Sequence, residues 1–96
     1  MKHYVIESRF ERPITEFRDA VPDHRAYLQK LYEAGSLLFS GPKTSRDGEV
    51  FVARAESDEQ IEALIKDEPY SKQGFAKYTV VGFTPTMKNP ALDHWN

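Results

Sequence analysis

The sequence predicts an α+β domain in the order β-α-β-β-α-β: a four-stranded antiparallel sheet with two helices on one face. Three observations predict it. Stretches with period-two alternation open the chain and recur near residue 76. A helical stripe follows the first of them and leads into two short strand-like runs joined by an Asp47-Gly48 turn. A capping box then starts a second helix before the last strand.

The elements follow in order. From His3 to Phe10, Tyr4, Ile6, Ser8 and Phe10 share one face and His3, Val5, Glu7 and Arg9 the other, as in a half-buried strand that Pro13 ends. Residues 14–20 are mixed, with room for a helical turn. Pro22 suits a first helical position, since its missing N–H would be unpaired there. Val21, Leu28 and Leu31 then make a stripe flanked by Tyr27 and Tyr32, and Gly35 stops a helix over 21–34. Leu37 to Ser40 is a short strand bounded by Gly35 and Gly41-Pro42. Val50 to Ala55 alternates again. Ser57 with Gln60 three residues on is the capping box, and Ile61, Leu64 and Ile65 are the buried stripe behind it. Pro69 stops that helix, and Ala76 to Phe83 is the last strand. Residues 85–96, with Pro85, Pro90 and Trp95, read as a tail, so the domain occupies 1–84.

Composition bounds the function. Ninety-six residues make one domain with a modest core. At 11.1 kDa, accessible-surface scaling gives roughly 5,600 Å² for a compact monomer. Thirteen basic against fifteen acidic residues, net −2, argue against nucleic-acid binding. No apolar run is long enough for a membrane span or a secretory core, so a cytoplasmic location and no membrane partner are expected. The absence of cysteine removes disulfides, thiolate chemistry and cysteine-ligated metals. The three histidines are too scattered for metal-ligand spacing, and no phosphate loop or dinucleotide fingerprint is present, so no metal and no cofactor is expected. The sheet face away from the helices would be bare and apolar, which predicts a homodimer through that face.

His24 is the most informative residue. It stands four before Leu28 and seven before Leu31, so it points toward the sheet. A histidine there is either a satisfied core residue or a general base near neutral pH. Asp67 and Glu68 end the second helix, where the dipole disfavours acids, and an acid against a histidine would fix its tautomer. Ser40, Gly41 and Pro42 end a strand and would offer a hydroxyl and a backbone amide to a substrate oxygen. Tyr27 and Tyr70 are candidate walls of the same pocket, and Arg18 a candidate contact for an anionic substrate.

Four pieces together resemble the YciI-like (YCII-related) family. Pro22-Asp23-His24 with Tyr27-Leu28 resembles its Pro-x-His helix start. Gly35 to Pro42 resembles its glycine, apolar strand and Gly-Pro element. Val52 to Ala55 with the acid-rich capping box resembles its third strand and second helix. Pro69-Tyr70 with Gly74 resembles its Asp-Pro-aromatic-x-x-x-Gly motif. The resemblance spans residues 3–84. It implies a ferredoxin-like fold, a dimeric α+β barrel, and a pocket with a histidine–acid pair. It places the histidine at His24 and the acid at Glu68, where the family has aspartate, with Asp67 beside it as the other candidate.

The resulting expectation is a cofactor-independent lyase or isomerase acting on a small organic acid or aromatic-ring-derived substrate. His24 is its base, Glu68 or Asp67 the orienting acid, and Ser40 with the Gly41 amide the oxyanion holder. The alternative is a non-enzymatic, small-metabolite-binding or accessory dimer. An RNA-binding domain shares the element order but would show basic neighbours around stacking aromatics.

Overall fold

A computed structural model describes residues 1–95. Four strands form one antiparallel sheet: β1 (Lys2–Phe10), β2 (Leu37–Pro42), β3 (Glu49–Ala55) and β4 (Ala76–Phe83), in the spatial order β2-β3-β1-β4. Helix α1 (Val21–Glu33) joins β1 to β2, and α2 (Asp58–Lys66) with a short α3 (Pro69–Lys72) joins β3 to β4. This is the predicted α+β architecture.

Local chemistry sets each boundary. α1 has Pro22 in its first turn and ends at Gly35, whose φ of +78° a side chain would strain. Gly35 N–H to Tyr32 O (3.0 Å) and Ser36 N–H to Leu31 O (2.8 Å) close its C-terminus. Ser57 caps α2 by accepting from Gln60 N–H at 3.1 Å, and the Gln60 side chain returns to Glu56 N–H at 2.6 Å. β2 runs two residues beyond the expected Ser40, through Gly41 and Pro42. A proline is tolerated there because β2 is an edge strand.

The hairpin loop is held by a close approach. A Cβ at Gly48 would lie 1.9 Å from the Ser8 carbonyl oxygen, so only glycine fits. Next to it, Ser8, itself buried, accepts from Glu49 N–H through its hydroxyl at 2.9 Å. The strand therefore starts at Glu49, one residue before the expected Val50.

Between helices and sheet, Tyr4, Ile6, Leu37, Phe51, Ala53, Ala55 and Ile61 form the main core. Leu28 and Ile65 pack on it half-buried. A second cluster joins Phe17, Ala20, Tyr70 and Ala76, with Phe10 and Phe75 against it. Phe17 stacks on Phe75 (4.7 Å between centroids) and meets Tyr70 edge-on (5.1 Å).

The opposite sheet face is open. Phe39, Val81 and Phe83 are exposed on it. The tail returns to this face. Trp95 meets His3 edge-on at 5.3 Å and lies under the Arg54 guanidinium at 5.1 Å. An open groove of about 600 Å³ remains between the sheet and the tail, bordered by Val5, Phe39, Val52, Met87 and Trp95. Because His24 faces the helix side of the sheet, the tail does not cover it.

Candidate functional site

The site assembles where α1, α3, β3 and β4 converge. His24, in the first turn of α1, is 4% exposed. Its Nδ1 meets Glu68 Oε1, and its Nε2 stands 2.8 Å from Glu49 Oε1. Tyr70 stacks face to face on the imidazole, with centroids 3.9 Å apart and planes 8° from parallel. A charged imidazolium is attracted to that ring face.

Glu68 is the fixed carboxylate. It is 2% exposed and caps α3, accepting from Tyr70 N–H at 3.1 Å. The same oxygen accepts from the Tyr78 hydroxyl. Pro69 follows it at the first helical position. Glu68 is therefore an N-cap and not, as the sequence reading had it, an acid misplaced at the end of α2. Asp67 occupies that end. It is exposed, and its carboxylate does not join His24.

Glu49 is held differently. Its side chain is 17% exposed against 3% for Glu68. Across the ion pair, neither Glu49 Oε1 nor His24 Nε2 has a well-aligned hydrogen bond, although both atoms are buried. The ring is thus anchored through Nδ1 and loosely paired through Nε2.

The carboxylates decide the protonation state. Burial works to lower the His24 pKa, but hydrogen bonds and charge from Glu49 and Glu68 outweigh it and raise it to about 9. At neutral pH the ring is an imidazolium. Burial, with the nearby Glu49 and Glu68 charges, pushes the Tyr70 phenol up to about 12. Burial and the bond to Glu68 push Tyr78 up as well.

The other expected site residues are dispersed. Ser40 and Tyr32 share a hydroxyl–hydroxyl bond of 2.6 Å between β2 and α1. Gly41 faces open space and Pro42 is exposed. Tyr27 donates to the Leu64 carbonyl at 2.6 Å, tying α1 to α2. Arg18 is exposed on a 3-10 turn before α1. Glu49 and Tyr78 are not among the site residues expected from the sequence. Carrying the inward alternation of Phe51 and Ala53 back one step would have found Glu49, and Tyr78 follows from the same rule on β4.

A narrow apolar void of about 10 Å³ ends at Glu68 and Tyr78, walled by Ile6, Leu28, Leu37 and Phe51. That is about the space one water requires. Among the described residues, no group of three or more His, Asp or Glu side chains is arranged to hold a metal, and no helix is long and apolar enough to cross a membrane.

Comparison with known proteins agrees with this architecture. The chain is 31% identical over 64 residues to derivative of benzaldehyde biosynthesis cluster protein C of Emericella nidulans, covering 55% of this chain and 65% of that protein. The chain thus spans less than two thirds of that relative's length. The fold superposes on 5-chloro-2-hydroxyhydroquinone dehydrochlorinase of Burkholderia phenoliruptrix, solved with 2,5-dihydroxybenzoquinone. The TM-score is 0.72 at 20% identity, over 85% of this chain and 93% of that one. The family model for the YCII-related domain matches residues 1–84, and the chain belongs to the YCII-related family.

Proposed function

We propose that this protein is a cofactor-independent lyase or isomerase acting on a small, hydroxylated substrate derived from an aromatic ring. The proton is moved by His24, with Glu68 as its orienting acid. The observation that carries this reading is a buried histidine clamped between two carboxylates. Burying three charges is costly, and sites of chemistry are where such arrangements concentrate. Two similar proteins, a dehydrochlorinase of a hydroxylated ring and a derivative of benzaldehyde biosynthesis cluster protein, support the substrate class.

The raised His24 pKa changes the order of steps expected from sequence. The free site is loaded with a proton, so His24 acts first as an acid. It becomes a base only after that proton has left. Glu68 keeps Nδ1–H in place throughout, which leaves Nε2 as the reacting nitrogen. Acid–base assistance of this kind is worth roughly 10²–10⁴-fold.

The test is turnover of hydroxylated quinols, phenolic acids and lactones by the wild type, His24→Gln and Glu68→Gln. Loss of at least about 100-fold in both variants, with the fold intact by circular dichroism, is expected. Unchanged turnover in His24→Gln overturns the reading.

A second reading is favoured by the void at Glu68, which is no larger than a water. The protein would then be a binding or accessory module whose charge cluster is structural. It predicts ligand binding that does not vary as pH rises through 9, where His24 loses its proton.

A homodimer through the open sheet face belongs to the same proposal. Phe39, Val81 and Phe83 support it. So does a surface of 6461 Å², larger than the roughly 5,600 Å² expected of a compact monomer this size. Light scattering on the wild type and Val81→Glu tests it. A monomeric wild type ends it.

A further inference from the structure

We propose that Glu49 is an internal placeholder: in the empty site its carboxylate occupies the position at His24 Nε2 that an anionic substrate oxygen takes when bound. The inference rests on the reading of His24 as the reacting group and adds to it a substrate feature, an ionised oxygen.

The asymmetry between the two carboxylates carries the argument. Glu68 accepts from His24, the Tyr70 amide and the Tyr78 hydroxyl, and it is almost wholly buried. Moving it would break all three bonds. The Glu49 oxygen at Nε2 is held by that ion pair alone, without a well-aligned hydrogen bond, and its side chain is the most exposed of the three charged groups. Its backbone, by contrast, is locked by Ser8 Oγ and by the closely packed Gly48. The side chain can therefore swing away while the strand stays in place.

Charge counting agrees. Glu49 from β3, Glu68 at the start of α3 and the imidazolium from α1 sum to −1; Tyr70, stacked on the ring, and Tyr78, bonded to Glu68, stay neutral because their phenols are pushed up, and the nearby Arg25 is exposed to solvent. Adding a substrate anion beside Glu49 would bury a charge of −2. Exchanging it for Glu49 keeps −1 and preserves the contact at Nε2. A neutral ligand has no such exchange to make. Competition from Glu49 also keeps weak anions out, so the site discriminates by how well the rest of the ligand fits.

The experiment is an NMR titration of the His24 ring in the wild type, Glu49→Ala and Glu49→Gln, with and without sodium acetate and sodium benzoate as probes. In Glu49→Ala the midpoint falls from about 9 by at least one pH unit. Added acetate or benzoate raises it back by filling the vacated position. In Glu49→Gln the midpoint falls likewise, but the probes do not restore it, because the amide still fills the space. An unchanged midpoint in either variant overturns the placeholder role, as does an alanine variant that no anion restores. If the alanine variant does not fold, Glu49→Ser takes its place with the same expected outcomes. The two readings fail separately. Unchanged turnover in His24→Gln removes the enzyme, whereas a negative titration removes only the placeholder.

Discussion

The two buried clusters beneath the helices are built on different physics. The first, around Ile6, Phe51, Ala53 and Ile61, is apolar and asks only that volumes fit. The second, around Phe17, Tyr70 and Ala76, packs aromatic rings against one another and uses one of them to face a charged histidine. Tyr78 borders both clusters. The aliphatic region gains stability from every methylene it buries. The aromatic region spends part of that gain on holding His24, Glu49 and Glu68 out of water. The difference teaches where function is to be sought: in the half of the core that would be more stable without its charges.

Removing one partner is the strongest way to break the comparison. Glu68→Ala leaves the imidazolium, the Tyr78 hydroxyl and the α3 amide without their acceptor. The expected loss is about 3–5 kcal/mol in urea denaturation. Glu68→Gln keeps an acceptor and should cost less. In the apolar cluster, Ile61→Ala should cost about 2–4 kcal/mol, since Ile61 is 1% exposed. If Ile61→Ala cost more than Glu68→Ala, the charge cluster would be an ornament on a conventional core. The half-buried Leu28 should give less than Ile61 when truncated to alanine.

The pH dependence of stability separates the two regions further. The folded His24 pKa, about 9, lies above its usual value of 6.5. The stabilisation is therefore complete below pH 6.5 and is lost as pH rises through 9. Over that window unfolding free energy should fall by roughly 3 kcal/mol, following from the shift at about 1.4 kcal/mol per unit. His24→Gln should flatten the profile, and Ile61→Ala should lower it without changing its slope. A wild-type profile flat between pH 6.5 and 9 would mean that Glu49 and Glu68 do not hold the proton on the ring.

These two regions also differ in how far the sequence reveals them. Alternation in β1 and β3 and the stripe of α2 that carries Ile61 locate the aliphatic core, because burial there follows a local period. Glu68 shows the limit. Its acid stands out in the sequence, yet the reason for its position, capping a four-residue helix, is invisible because one helical turn has no periodicity. Asp67 and Glu68 look alike as neighbours in sequence, and only the turn between α2 and α3 sends one to solvent and the other inward. Glu49 meets His24 across 25 residues of chain, a contact that depends on sheet register and on the tight packing of Gly48. Distances of that kind are set by topology, which spacing alone does not encode.

Tyr27 offers the finest test of where one region ends and the other begins. The sequence makes it a candidate pocket wall, one turn beyond His24. In the fold its hydroxyl donates to the Leu64 carbonyl, so it joins two helices over the aliphatic core. Tyr27→Phe removes that bond and leaves the ring in place. The Leu64 carbonyl is then short of one donor, which should cost about 1 kcal/mol. If Tyr27 belongs to the helix contact, the loss appears in denaturation while turnover and the His24 titration stay as they are. If it belongs to the site, KM rises with stability almost unchanged. Because the two outcomes lie on different axes, a single substitution draws the boundary between scaffold and site on α1.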